Sequence, residues 1–200
     1  MTEQSAARTA EIRVVLLEMA ATDQRVRAEL LHEGTLFDGY QPRMAEVHHH
    51  NALTLTAIMD EVGWPSARLM GRDACDAAWL VLQHSIGDPS VMRRGLTLLQ
   101  NHPDDGVAPA QLAMLEDRVR TMSGLPQSYG TQFDWDEHGV LAPRQIEDPD
   151  QVELRRKAVG LPPLADKQRE MNEMAARPPG DLAQRRREIE QWEVSVGWHP

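Results

Sequence analysis

Three features of the sequence predict an all-α fold, an irregular multi-helix bundle with one small β-hairpin near residues 130–146. Apolar residues recur at helical spacing through most of the 200-residue chain. Glycine and proline punctuate these runs at helix-length intervals. Only GTQFDWDEHGVLAPRQIEDP breaks the pattern, with short extended runs on either side of Asp136-Glu137-His138-Gly139. Strand–helix alternation and internal repeats are both missing, which leaves helix-on-helix packing as the architecture.

In chain order, residues 5–32 read as a first helix with Ile12, Val15, Leu16, Met19, Val26 and Leu30 facing inward. Gly34 ends it, and TLFDGYQP forms a turn around Gly39 and Pro42. A second helix over 43–61 carries Val47, Leu55, Ile58, Met59 and Val62 on its inner stripe and stops at Gly63-Trp64-Pro65. Residues 73–86 are apolar almost all round, the pattern of a helix buried inside a bundle. Pro89 suits the first position of a fourth helix, which carries Val91, Met92, Leu96, Leu98 and Leu99 and runs to NHPDDG. Pro109 opens a fifth that ends at Ser123-Gly124, with Leu112, Leu115, Val119 and Met122 inward.

After the hairpin, helices are expected over 149–159 and 165–175, separated by GLPPL. RPPGD is a further break, and Asp181 caps a last helix that ends near Val194. That helix has few apolar positions (Leu182, Ile189, Trp192, Val196). Residues 1–170 are therefore expected to form the helical domain including the hairpin, and 171–200 a C-terminal appendage that packs on it or pairs two copies of the chain.

A net charge of −10 argues against a nucleic-acid partner, whose phosphates would be repelled. The single cysteine, Cys75, excludes an internal disulfide and a cysteine-based zinc site. Its apolar and acidic neighbours would raise a thiol pKa, so it reads as packing. No apolar run has the form of a signal peptide or the length of a membrane span, and a soluble cytoplasmic protein is expected. Trp64 and Trp79 read as core, while Trp135, near the hairpin turn, is the better candidate for an exposed contact.

Chemistry is sparse. His48-His49-His50 cannot all face one metal, because consecutive helical residues point 100° apart. The usable pairings there are Glu46 with His49 or His50, and solvated histidines are the simpler reading. His84 follows Gln83 near the end of the apolar helix, on the stripe of Ala77, Leu80 and Val81. A buried imidazole is either tied to a partner or tuned as an acid/base. Asp117 and Arg118 interrupt the apolar face of the fifth helix, as an ion pair that fixes packing or as an orienting carboxylate and an anion clamp. Gln127-Ser-Tyr-Gly-Thr-Gln132 gathers hydrogen-bonding side chains where that helix ends. The signatures of the common hydrolase, nucleotide-binding and dehydrogenase sites do not occur.

Several of these pieces fall into a recurring order. They are DQRVR (23–27), Asn51 then GWP (63–65), Gly71, AAWLVLQH (77–84), LEDR (115–118), Gly124, PQSYGTQ (126–132), IEDP (146–149) and RRKAVGLPPLA (155–165). Together they resemble domain-of-unknown-function family 6624 over about residues 10–170. The resemblance implies a soluble, mainly helical bacterial domain and no established activity. It also groups Asp23, Arg27, Asn51, Gln83, His84, Asp117, Arg118, Gln127, Tyr129, Gly130, Thr131 and Gln132 as one set. The histidine triplet departs from the family pattern, and the last helix lies beyond the family's usual end.

The reading carried forward is an enzyme acting on a small molecule or peptide, with no cofactor and no metal expected. His84 is its acid/base, Asp117 the orienter and Arg118 an anion clamp, while Asn51, Gln83, Gln127, Tyr129, Thr131 and Gln132 hold substrate. Two alternatives stay open. One is a non-catalytic ligand-binding or protein-interaction module that uses 127–132 and the hairpin as its recognition loop. The other is a metalloprotein using His84 with Glu46, His49 or His50.

Overall fold

The computed structural model describes residues 3–36, 39–102, 106–175, 178 and 180–199. Parts of three expected breaks, residues 37–38, 103–105 and 177 with 179, lie outside the described residues. The fold is all-α with one small hairpin, and the chain forms two compact units, residues 1–107 and 108–200.

In the first unit, α1 (Glu3–Glu33) and α2 (Pro42–Val62) lead to a single turn, α3 (Ala67–Met70), and then to α4 (Arg72–His84) and α5 (Pro89–Asn101). Gly34, at φ +75°, ends α1, and the following Thr35 and Leu36 amides both donate to the Leu30 carbonyl. The turn α3 was not anticipated; its Met70 is buried. The inner face of α1 is Ile12, Leu16, Met19, Asp23, Val26 and Leu30, spaced alternately by four and three residues. Val15, expected on that face, is exposed because it lies a quarter-turn from Leu16.

The inner face of α2 holds Met44, His48, Asn51, Ala52, Leu55, Ile58 and Met59, while Val47 and Val62 are half-buried. Helix α4 buries Ala74, Cys75, Ala77, Ala78, Val81, Leu82 and Gln83, and packs against both α1 and α2. Burial pushes the Cys75 thiol up, as its surroundings predict. At the α4–α5 crossing, a Cβ on Gly95 would stand 2.5 Å from Leu82 Cδ2, so a glycine sets how closely these helices approach.

The second unit comprises α6 (Pro109–Met122), β1 (Phe133–Trp135), β2 (Leu141–Pro143), a 3-10 turn (Pro149–Gln151), α7 (Val152–Ala158), α8 (Leu164–Met174) and α9 (Leu182–Ser195). The strands pair antiparallel, with Asp134 opposite Ala142. Their turn is tied by Asp136 Oδ1, which accepts from the His138 and Val140 amides at 2.8 and 2.9 Å. Asp181 caps α9 by accepting from the Gln184 amide at 2.7 Å, as expected. Helix α9 meets the hairpin through polar contacts: Arg185 pairs with Asp134 at 2.5 Å and Arg186 donates to the Trp135 carbonyl at 2.8 Å. No described helix is long and apolar enough to cross a membrane.

Candidate functional site

The mainly apolar inner faces of α1, α2 and α4 bring Asp23, His48 and His84 together, with Asn51 and Gln83 buried nearby in sequence. Asp23 has no exposed surface, and its Oδ2 and Oδ1 lie 2.8 and 3.0 Å from His84 Nδ1. His48 Nε2 lies 3.1 Å from the same Oδ2, but too far off-line for a hydrogen bond. The two imidazole centroids are 5.2 Å apart, inclined at 43°. Behind His48, the Tyr40 hydroxyl is 2.8 Å from Nδ1.

Electrostatics assign the protons. Burial, with Asp88 and Asp23 nearby, pushes the Tyr40 phenol up, so it stays protonated and donates to His48 Nδ1. With Nδ1 accepting from the phenol, the hydrogen of His48 lies on Nε2, on the side of Asp23. Burial alone would raise the Asp23 carboxyl, but the adjacent His48 imidazole and the hydrogen-bonded His84 outweigh it and hold the group at about 2. An ionised Asp23 accepts the Nδ1 hydrogen of His84, which leaves the lone pair of His84 on Nε2. That nitrogen has no hydrogen-bond partner among the described residues, on a ring that keeps 22% of its surface exposed. A carboxylate on one imidazole nitrogen of a part-exposed side chain, with the other nitrogen unbonded, is an arrangement that acid/base chemistry can use.

Two sequence expectations are corrected here. The carboxylate that orients His84 is Asp23, not Asp117. Of the histidine triplet, His48 turns inward, whereas His50 and Glu46 are exposed and His49, 62% exposed, pairs with Asp88 at 2.9 Å. Asn51, one turn after His48, is buried and donates to the Met19 carbonyl at 3.4 Å, which latches α2 to α1 one turn before Asp23. Gln83 is buried beside His84.

The remaining candidates lie in the second unit, where they build one loop. Asp117 is fully buried; its Oδ1 accepts from the amides of Ser128 and Tyr129 at 2.7 and 3.0 Å. Its Oδ2 accepts from the Thr131 amide and hydroxyl, both at 2.9 Å. Gln127 Nε2 donates to the carbonyls of Gln132 and Arg144, and its Oε1 accepts from the Gln132 amide. Arg118 Nε donates to Gln132 Oε1 at 3.1 Å. Arg156, buried in α7, donates to the carbonyls of Tyr129 and Gly130, and burial lowers its pKa. Tyr129 is half-buried, its phenol pushed up by burial. The hydrogen bonds of QSYGTQ thus run within its own unit, to side chains that hold the loop's shape.

Gly130 completes the turn at φ +69°, with Ile146 Cδ1 and Leu164 Cδ1 each 3.0 Å from where a Cβ would stand. Gly130→Ala is expected to cost about 1–2 kcal/mol, from the left-handed backbone and the tight contacts together. Chemical denaturation checks it, and an unchanged midpoint would contradict the strained turn. Elsewhere in this unit a cleft of about 270 Å³ opens between the hairpin and α9, lined by residues that include Trp135, Arg144, Arg186 and Glu190.

The class of protein defined by this geometry is a helical bundle that buries a carboxylate between two histidines contributed by separate helices. Residues 10–176 match the model of the Family of unknown function (DUF6624), and the chain belongs to that family. No curated protein and no solved structure matches it.

Proposed function

We propose that the chain is an enzyme acting on a small molecule or peptide, with His84 as its general base and acid and Asp23 as the positioning residue. The observation that carries this reading is the Asp23 carboxylate 2.8 Å from His84 Nδ1, which directs the lone pair to Nε2. The base would take a proton from a water or from the substrate itself. Asp23 stabilises the imidazolium that forms without becoming protonated. His48, held by the Tyr40 hydroxyl on its Nδ1, packs against the other side of that carboxylate.

The same reading places a soluble protein in the cytoplasm, its strong negative charge turning it from nucleic acid toward small ligands. Helix α9, with Val194 exposed, supplies a surface for pairing two copies. A non-catalytic binding module is the second reading, favoured by the cleft that contains Trp135 and Arg186.

The test compares wild type with His84→Gln across metabolite and peptide libraries, with mass spectrometry as the readout and thermal melts confirming the fold. Turnover by the wild type is expected to fall about 10²–10⁴-fold in the variant, the range for loss of a positioned acid/base. Equal turnover by the two proteins would remove His84 from catalysis. Ligand retained without conversion by either would move the function to the second reading.

A further inference from the structure

We infer that Asp23, His48 and His84 form a binding site for one divalent first-row transition ion, with zinc as the type case. One ligand atom from each of the three residues lies within 4.8 Å of the other two. The donor set is two imidazole nitrogens and one carboxylate oxygen. This combination suits zinc, iron or cobalt and is a poor match for magnesium or calcium, which take mainly oxygen ligands. The ligands come from α1, α2 and α4, three helices packed on one another, so helix packing fixes their spacing.

A second observation points the same way. His48 Nε2 is buried and makes no hydrogen bond, although it stands 3.1 Å from a carboxylate oxygen. Buried polar atoms are normally satisfied, and this one is aimed into the cluster but past the oxygen. A tetrahedral ion with bonds of about 2.0–2.1 Å would hold its ligands roughly 3.3 Å apart. The observed separations, 2.8 Å for His84 and 3.1 Å for His48, are a few tenths of an ångström shorter. Small rotations of the two rings would open them. Tyr40 would then accept a hydrogen bond from His48 Nδ1, the outer-shell contact that metal-bound histidines require. Three protein ligands leave a fourth position for water or substrate, as in catalytic zinc sites.

This inference goes beyond the proposed base and competes with it for one atom. His84 Nδ1 cannot donate to Asp23 and also hold an ion. In the loaded form Nε2 carries the hydrogen, and His84 no longer serves as the base.

The full chain, prepared without a histidine tag and stripped with a chelator, would be titrated with zinc chloride by calorimetry, and its metal content measured after gel filtration. One zinc per chain is expected, with magnesium chloride giving no heat. His48→Ala should lose the stoichiometric ion and His50→Ala should keep it. Tyr40→Phe, which leaves all three ligands in place, should weaken binding about tenfold, the lower end for loss of an outer-shell partner. If His48→Ala fails to fold, Tyr40→Phe and the visible absorption of bound cobalt carry the test. Absence of stoichiometric zinc would overturn the inference, as would zinc that survives His48→Ala but disappears with His49 or His50. Turnover by the stripped protein that still depends on His84 would sustain the base reading whatever the zinc result, so the two can fail separately.

Discussion

Asp23→Ala is expected to destabilise the first unit by about 2 kcal/mol, chiefly from the His84 N–H left without its acceptor at about 1–3 kcal/mol. The same substitution should remove any turnover that depends on His84, because the imidazole loses both its tautomer and its aim. The stability part has a pH signature. Asp23 titrates at about 2 in the folded chain against an ordinary carboxyl value of 3.8. Its depressed value makes the unfolded chain bind the proton first. The contribution, about 2 kcal/mol, is therefore complete above roughly pH 4 and is lost as pH falls toward 2. Urea unfolding of wild type and Asp23→Asn between pH 3 and 7 reads this directly. The gap between the two should narrow on the acid side and stay open above it. A gap independent of pH would show that the charge of Asp23 contributes nothing.

Why Asp23 escapes a reading of the sequence is instructive. Helix starts were legible because Pro89 and Pro109 stand at first positions and glycines mark several ends, features that act through local backbone geometry. The alternating four–three spacing of Ile12, Leu16, Met19, Val26 and Leu30 has a gap that Asp23 fills. An acidic residue is ordinarily assigned to the solvent, and only a partner from elsewhere justifies burying it. That partner, His84, is 61 residues away, and no local rule joins the two. His48 offered a similar signal, standing four residues after Met44 and three before Asn51 on the buried face. Reading the triplet as a block hid the difference between one inward ring and two outward ones. Asp117 was legible as a polar interruption of an apolar face. Its role was not, since three of the four groups that donate to it are backbone amides, which every sequence possesses.

Asp117→Ala carries the other large expected effect, and it separates the two meanings of the QSYGTQ loop. Four donors from Ser128, Tyr129 and Thr131 converge on this one buried carboxylate. Some of them would find water after truncation, and the rest cost about 1–3 kcal/mol each, for a total of roughly 4 kcal/mol. In a unit of this size, that lowers its melting temperature on the order of 20 °C. Asp117→Asn should recover little, because the amide keeps one acceptor oxygen and turns an NH2 group toward donors. Hydrogen exchange would show where the loss falls, with protection disappearing first at residues 127–132 and at the Glu147 amide, which donates to the Gln127 carbonyl. If Asp117→Asn melted with the wild type and retained that protection, the carboxylate would not be what shapes the loop. A loss of turnover in such a stable variant would return Asp117 to the catalytic role its sequence context suggests. The expected result is the reverse: a second unit that loosens around residues 127–132, while zinc uptake by the first unit, and in the stripped protein any His84-dependent turnover, persist wherever the chain stays folded.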